Sequence, residues 1–587
     1  MTGIPVDNPH STRPRSMRRP VCRAVTNMAI VSATALCLFL ASGGQPLAAQ
    51  DQATASPAPP RQPNVIFILA DDLGYGELGC YGQKTIHTPN IDKMAETGMR
   101  FTDHYAGCTV CAPSRCALLT GKHTGHTLVR GNQGALLDSQ ETTIGRAMKD
   151  AGYRTAAIGK WGAGENPAPG HPEQCGFEEF FGYLENGHAH NHFPDFLWKN
   201  SAQWPVRGNV VKSIGRGGVA IKKTQFSHDL LTAEAMSYIE KNQAAPFFLY
   251  LAFIIPHANN EAGLEGMEVP DDAPYSDKPW PQPQKNHAAM ITRMDRSVGE
   301  ILALLKKLEI DDDTLVIFSS DNGPHKEGGA DPAFFQSSGV FSGYKRSMHE
   351  GGIRVPLIAQ WPGKVPENTV TDHVCALWDL LPTACSLAEA APPEGIDGIS
   401  YLPTLLGRPE QQKPHEYLYW EFHEGGSRQA VRSGKWKLIR TVGGPVELYD
   451  LEADPSEQTD LSQQQPEVVE KLIELMSAAR SESNVYPLKP VVQKPNDRVE
   501  ETRREIRRRN RLRIRRTGKI RRMDSSNICR GGNYRRYVLH NGCRDTDPYD
   551  DVSRICWDVS AMNCRTVKHC DCSVKRETNL NGWVVSR

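Results

Sequence analysis

The chain has no net charge: 68 Lys and Arg are matched by 68 Asp and Glu over 587 residues. That excludes a uniformly basic protein of the kind that holds nucleic acid by neutralising phosphates, but the zero hides a division. Residues 1–25 carry five Arg against one Asp, a charge of +4, and residues 498–587 carry 23 Lys and Arg against 11 Asp and Glu, a charge of +12, which leaves −16 for residues 26–497. No nucleic-acid partner is therefore expected for the body of the chain. No apolar run reaches the roughly 20 residues that a membrane span needs. The nearest is Met28 to Leu40, preceded by Arg13, Arg15, Arg18, Arg19 and Arg23 and followed by small residues at Ala48-Ala49, which reads as a signal peptide over 1–50, with Met17 as an alternative initiator. The polar stretch 51–62 (DQATASPAPPRQ) reads as a linker. A periplasmic or secreted protein without a stable membrane span after cleavage is the expectation. No internal repeat is visible, and 39% hydrophobic residues exclude a disordered or fibrous chain.

What is present is a set of apolar runs that end in polar residues. Val65 to Ala70 ends at Asp71-Asp72, Thr155 to Ile158 leads through Gly159 to Lys160, Phe247 to Phe253 leads to His257, and Leu315 to Phe318 ends at Asp321-Asn322. Runs without alternation suit parallel strands covered on both faces. Between them, Ile291, Met294, Val298, Ile301, Leu305 and Leu308 fall on one helical face. The predicted fold is α/β, a mixed, mostly parallel sheet sandwiched by helices, with ligands bound beyond the carboxyl ends of the strands. From about residue 405 the pattern changes to short strand candidates at 429–432, 436–440 and 447–449 and a helix over 466–479, a smaller α+β subdomain of antiparallel strands. The expected organisation is a catalytic domain over 63–404, this subdomain over 405–490 and a basic, Cys-containing tail over 491–587.

The most specific local signal is Cys111-Ala112-Pro113-Ser114-Arg115-Cys116-Ala117-Leu118-Leu119-Thr120-Gly121. With Pro113 at a first helical position and Gly121 at the helix end, Cys111 lies at a helix N-terminus with Arg115 one turn on, an arrangement suited to an anion. The segment resembles the signature C-x-P-S-R-x-x-L-L-T-G of the formylglycine-dependent (type I) sulfatases, of the alkaline phosphatase-like superfamily. Gly152-Tyr153-Arg154-Thr155-Ala156-Ala157-Ile158-Gly159-Lys160-Trp161 resembles the second signature of that family, and Asp71-Asp72, Pro256-His257, Asp321-Asn322-Gly323 and Lys345 before Glu350-Gly351-Gly352 follow in the family's order. The resemblance spans roughly residues 63 to 480.

The resemblance implies a sulfuric ester hydrolase in which Cys111 is oxidised to formylglycine by a maturation enzyme, and in which Asp71, Asp72, Asp321, Asn322 and an oxygen of the modified Cys111 hold Ca²⁺, a cation that favours oxygen ligands. An isolated Asp-Asp pair is also an ordinary helix cap; its pairing with Asp-Asn at a second strand end favours metal. The implied reaction is attack of a hydrated aldehyde oxygen on sulfur, with His257 or Lys345 protonating the leaving alcohol, followed by collapse to aldehyde and sulfate. Arg115, Lys160 and Lys345 are implied to offset the negative charge, each such donor being worth roughly 10²–10³ in rate. The substrate is expected to be a sulfated saccharide or an aryl sulfate. Alternatives of other kinds are a phosphodiester or phosphonate monoester hydrolase of the same superfamily and an inactive protein that binds sulfated glycans.

Two absences qualify this reading. The family places His two residues after the Lys of its second signature, where this chain has Gly162, so another group must serve; His188, His190 and His192 are the candidates, the alternative being that they line a surface loop or the substrate cleft. His325, His349, Trp420 and His423 are weaker candidates for the cleft. A fourth thiol that would close a zinc or iron–sulfur site with Cys108, Cys111 and Cys116 is missing. The tail, with 13 Lys and Arg against three Glu over 498–522 and six Cys beyond, reads as a polyanion-binding arm, a small disulfide module, or a disordered extension or mis-assigned reading frame. Trp161, the His-rich stretch and Trp420-His423 suggest a sugar ring as the substrate body, and removal of sulfate from a terminal galactose or N-acetylgalactosamine is expected.

Overall fold

A computed structural model describes residues 62–164 and 170–491. The signal peptide, the linker apart from Gln62 and the tail apart from Val491 lie outside the described residues.

Among the described residues ten strands form one sheet. At its centre run five parallel strands in the spatial order Thr314–Ser320, Asn64–Asp71, Phe247–Pro256, Arg154–Lys160 and Glu179–Tyr183. Antiparallel neighbours, Leu357–Gln360 on one side and Phe196–Lys199 on the other, continue the sheet outward. The lack of alternation in the central runs follows from burial on both faces. Ile66, Ile68 and Ala70 join a cluster with Ile291, Met294, Val298, Ile301 and Leu305 of the Gln282–Lys307 helix, while Leu308 caps that helix and is only partly buried. Val65, Phe67 and Leu69 point the other way, into a cluster with Cys116, Leu118 and Leu119 of the Cys111–Thr120 helix. Each such large side chain contributes about 1.5–3 kcal/mol by leaving water.

A second sheet has four antiparallel strands, Leu418–Phe422, Arg428–Ser433, Trp436–Thr441 and Val446–Asp450, followed by a helix over Pro466–Ala478. The first of these strands was not anticipated. All five of its residues are buried, including Glu421, so it lacks the alternation of a half-exposed strand. Tyr419, Val431, Leu438 and Leu448 pack on Leu472 and Met476 of the helix, and Leu418, Trp420 and Phe422 pack on Tyr105, Cys108, Val110 and Ala117. The small sheet thus buttresses the segment that leads into the Cys111 helix.

Glu421 ties that contact electrostatically. Its carboxylate accepts from Arg130 Nη1 at 2.8 Å, Arg480 Nε at 2.9 Å and the Tyr419 hydroxyl at 2.8 Å, and meets His423 Nε2 at 3.1 Å. Burial pushes the carboxyl up, but His423, Arg130 and Arg480 together hold it down at about 2. A folded value below the unfolded one, roughly 4.3, means stability that is present above that pH and lost as the pH falls toward 2. Glu421→Gln is therefore expected to cost about 3 kcal/mol at pH 7, with the difference from wild type shrinking between pH ~4.3 and ~2. Denaturant unfolding at pH 7 and across the acid range measures this, and a difference that does not change with pH would contradict the assignment.

Candidate active site

The parallel register brings the polar ends of four strands to one edge of the sheet. Asp71 is the last residue of its strand and lies opposite Pro256; Lys160 is the last of its own; His257 and Asp321 directly follow theirs. Gly159 makes the Lys160 strand possible, because a Cβ there would stand 1.8 Å from the Ala252 carbonyl oxygen and the backbone has φ 112°. Cys111 is the first residue of the Cys111–Thr120 helix. Pro113 occupies the third helical position rather than the predicted first, and the Ala112 N–H donates to Asn132 Oδ1 at 3.0 Å instead of being free for an anion.

Cys111 Sγ lies 3.5 Å from Asp71 Oδ1 and 3.9 Å from Asp72 Oδ1. Lys160 Nζ stands 2.7 Å from Asp71 Oδ2, and Lys345 Nζ stands 2.7 Å from Asp72 Oδ2. Burial disfavours both ammonium groups, yet the facing carboxylates raise both above the usual lysine range. Asp72 has a left-handed backbone, φ 66°, a conformation that costs a non-glycine residue of order 1–3 kcal/mol. It is held by its N–H to Asp321 Oδ1 at 3.0 Å and by Asn322 Nδ2, which donates to Asp72 Oδ1 at 2.7 Å.

Arg115 is fully buried and does not line the cavity. Its Nε and Nη2 donate to Asp321 Oδ2 at 3.0 and 2.7 Å, and its Nη1 donates to the Lys160 carbonyl at 2.8 Å. Those bonds orient Asp321 and the Lys160 strand end. Lys345 Nζ also meets His257 Nε2 at 3.1 Å and Glu327 Oε2 at 3.1 Å. With His257 Nδ1 donating to the Ala258 carbonyl at 2.6 Å, the ring is neutral and its Nε2 accepts from Lys345; burial, then Lys345, hold its pKa well below the usual range. Glu327 was missed from the sequence, because nothing local marks a Glu in a loop as the partner of a Lys 18 residues away.

Two carboxylates and a carboxamide oxygen suit a hard cation, whereas an unmodified thiol and an imidazole do not. Ligand atoms of Asp71, Asp72, Cys111 and His257 lie within 4.8 Å of one another, and the buried Asn322 Oδ1 has no hydrogen-bond partner. Asp321 is raised by burial and by Asp71, which is the strain that a cation beside two carboxylates relieves. Cys108 and Cys116 point into two separate apolar clusters and cannot join Cys111 as thiolates. Burial pushes the Cys111 thiol well above its usual value, so the unmodified side chain is a neutral, poor nucleophile.

These groups open onto a cavity of about 830 Å³. His190 is the one member of the His-rich stretch that lines it, stacked on His257 at 5.0 Å and bonded to Glu261 at 3.1 Å. His188 packs between Tyr183 and Phe196, and His192 bonds the Glu268 carbonyl. Trp161 and Trp420 are buried, donating to the carbonyls of Gly170 and Ala106, and offer no platform to a sugar. His325 bonds the Pro256 carbonyl, while His349 and His423 line neighbouring grooves. Carboxamides take the place of aromatics: Asn132, Gln133, Asn186 and Asn260 line the cavity.

Gly162, with φ 72°, has its side-chain space filled from elsewhere. A Cβ there would lie 2.7 Å from Asn186 Oδ1 and 3.4 Å from Arg115 Cδ. Asn186 Oδ1 is buried without a partner, while its Nδ2 reaches the Gly162 carbonyl at 3.4 Å. A polar group therefore stands where the family carries His, supplied by a residue 24 positions later that no sequence motif flagged.

The family model described as Sulfatase matches residues 63–390, and the one described as N-sulphoglucosamine sulphohydrolase, C-terminal, matches residues 339–482. The N-acetylgalactosamine-6-O-sulfatase of Bacteroides thetaiotaomicron is 30% identical over 497 residues, covering 72% of this chain and 94% of that protein. Arylsulfatase A of Homo sapiens is 31% identical over 475 residues, covering 71% and 87%. The crystal structure of Ps i-CgsB in complex with k-i-k-neocarrahexaose is similar with a TM-score of 0.62 and 29% identity, over 77% of this chain and 99% of that one. At 21% identity, the phosphonate monoester hydrolase of Agrobacterium radiobacter shares the fold, with a TM-score of 0.51 over 74% of this chain and all of that one.

Proposed function

Because the chain belongs to the sulfatase family, a family of sulfuric ester hydrolases, we propose that it removes sulfate from a terminal galactose or N-acetylgalactosamine of a saccharide, with Cys111 oxidised to formylglycine and Ca²⁺ held by Asp71, Asp72, Asp321 and Asn322. The observation that carries this reading is the placement of Cys111 at the floor of a cavity, 3.5 Å from Asp71, with Lys160 and Lys345 on the two aspartates beside it. When present, the hydrated aldehyde supplies the attacking oxygen that a neutral thiol cannot, and the cation supplies charge that acidifies it.

The chain's own groups do the rest. Lys160 and Lys345 line the cavity and place two ammonium charges where the sulfate oxygens gain negative charge. Lys345 carries the proton that His257 lacks, so the departing alcohol oxygen takes its proton from Lys345, which His257 Nε2 holds in place as an acceptor. Glu327 holds that ammonium in place. Asn186 Oδ1 offers an acceptor to a hydroxyl at the position of Gly162's missing side chain. The overall change is cleavage of the S–O bond by water, giving an alcohol and sulfate.

The saccharide assignment is supported by the relative that acts on N-acetylgalactosamine sulfate, by the similar structure with a bound neocarrahexaose, and by the carboxamide lining, which suits sugar hydroxyls. Export fits the reading of residues 1–50, and maturation requires a formylglycine-generating enzyme in the same host. With the matured protein, sulfate release from a monosulfated galactose or N-acetylgalactosamine mono- or disaccharide is expected to exceed release from intact sulfated polymer, and to be unaffected by deleting 498–587. Aryl sulfate should be turned over well ahead of aryl phosphate. Faster turnover of phosphate esters, or a preference for polymer that disappears with the tail, would overturn the assignment.

A further inference from the structure

The outer part of the Cys111 cavity holds two arginines, each paired by the protein's own carboxylates. Arg346 Nε donates to Glu424 Oε2 at 2.8 Å, and its Nη1 donates to Glu327 Oε1 at 2.5 Å. Arg216 Nη1 stands 3.8 Å from Glu185 Oε2. Arg346 follows Lys345 directly and has a left-handed backbone, φ 74°, fixed by its N–H to the Thr109 carbonyl at 3.0 Å. A strained residue that persists at a site points to a role for its side chain.

The charges divide the cavity by depth. Lys160 and Lys345 face the aspartates at the floor, whereas Arg216 with Glu185 and Arg346 with Glu424 cancel at the outer end, where the other polar lining is carboxamide. Glu424 also lines both neighbouring grooves, of about 680 and 400 Å³, so a saccharide longer than the cavity passes its carboxylate on either path. In the outer cavity a second sulfate or a uronate meets the Glu424 carboxylate and an Arg346 that this carboxylate already engages, whereas the grooves beyond add Lys326, Arg428 and Lys489.

Resting on the sulfatase reading, we propose that Glu424 and Glu185 determine specificity: they keep the outer cavity neutral, so that the enzyme takes one sulfate at its floor on an otherwise uncharged saccharide and discriminates against one that carries a second anionic group. The two carboxylates do this electrostatically, by repelling the second anion, and Glu424 also occupies Arg346, which would otherwise bind it.

The test compares kcat/KM for a monosulfated disaccharide and for the same disaccharide with a second sulfate, in matured wild type, Glu424→Gln and Glu185→Gln. At 424 glutamine keeps the acceptor for Arg346 Nε and removes the charge, at 185 it removes only a charge because Arg216 at 3.8 Å is beyond hydrogen-bond reach, and both glutamates are partly exposed, so the fold is retained; a thermal melt checks this. Wild type is expected to prefer the monosulfated sugar, and each variant to lower that preference about fivefold in 0.1 M salt, with the effect shrinking near 1 M as screening shortens to about 3 Å. The salt dependence separates this role from a structural one. Turnover of the monosulfated sugar with a ratio unchanged in both variants overturns the inference alone, as does a wild type that prefers the disulfated sugar. A wild type that releases sulfate from neither overturns the functional reading and the inference with it.

Discussion

Cys111→Ala is expected to reduce sulfate release by about 10⁴-fold or more while leaving the protein folded. The loss is large because no neighbouring group can replace the nucleophile: the groups around Sγ are carboxylates and ammonium ions committed to one another at 2.7 Å. The fold survives because Sγ makes only long contacts, at 3.5 and 3.9 Å, so alanine leaves a small gap that costs about 1 kcal/mol. Burial disfavours the thiolate, which makes the unmodified thiol a poor nucleophile. Wild-type protein from a host with the maturation machinery should show, in the peptide that contains Cys111, loss of one sulfur and two hydrogens and gain of one oxygen by mass spectrometry. Cys111→Ser should be inactive in a host whose machinery accepts only cysteine. Turnover by the alanine variant near the wild-type rate, or an unmodified cysteine in active wild type, would end the formylglycine argument.

Asp321→Ala carries the second large effect, and it acts on stability and metal together. The carboxylate receives two bonds from Arg115 and one from the Asp72 N–H, so its removal leaves a fully buried guanidinium with a carbonyl and a carboxylate 3.5 Å away. Breaking a buried pair from one side typically costs about 3–5 kcal/mol. It also frees the strained Asp72 backbone, which positions the Lys345 contact, so turnover should fall below about 1% of wild type. If Ca²⁺ occupies this site, chelation should lower the melting temperature of wild type more than that of the variant, because the variant has already lost a ligand and binding stabilises only the form that binds. Equal sensitivity of the two proteins to chelator would place the ion elsewhere.

The sequence by itself determined the sheet, the order of its parts and most of the cavity floor. Strand ends are written locally: an apolar run long enough to be buried on both faces stops at Asp71, Lys160, His257 or Asp321, and parallel strands carry such ends to one edge. The helix that starts at Cys111 is local in the same way, although Pro113 sits two positions further in than its usual place. What only the tertiary structure decided is which polar and aromatic side chains reach the cavity. Trp161 and Trp420 are indistinguishable by sequence from sugar platforms, yet each faces a carbonyl in the core. His190 reaches the cavity while His188 and His192, two residues either side, do not, because a short helix over Asn186–Ala189 sets which ring faces Tyr183 and which faces His257. Asn186 behind Gly162, Glu327 on Lys345, Glu421 between two arginines and Glu424 on Arg346 left no periodic signal. Local pattern records whether a residue is buried and in which element; whom a charged side chain meets depends on partners up to hundreds of positions away, and only packing brings them together.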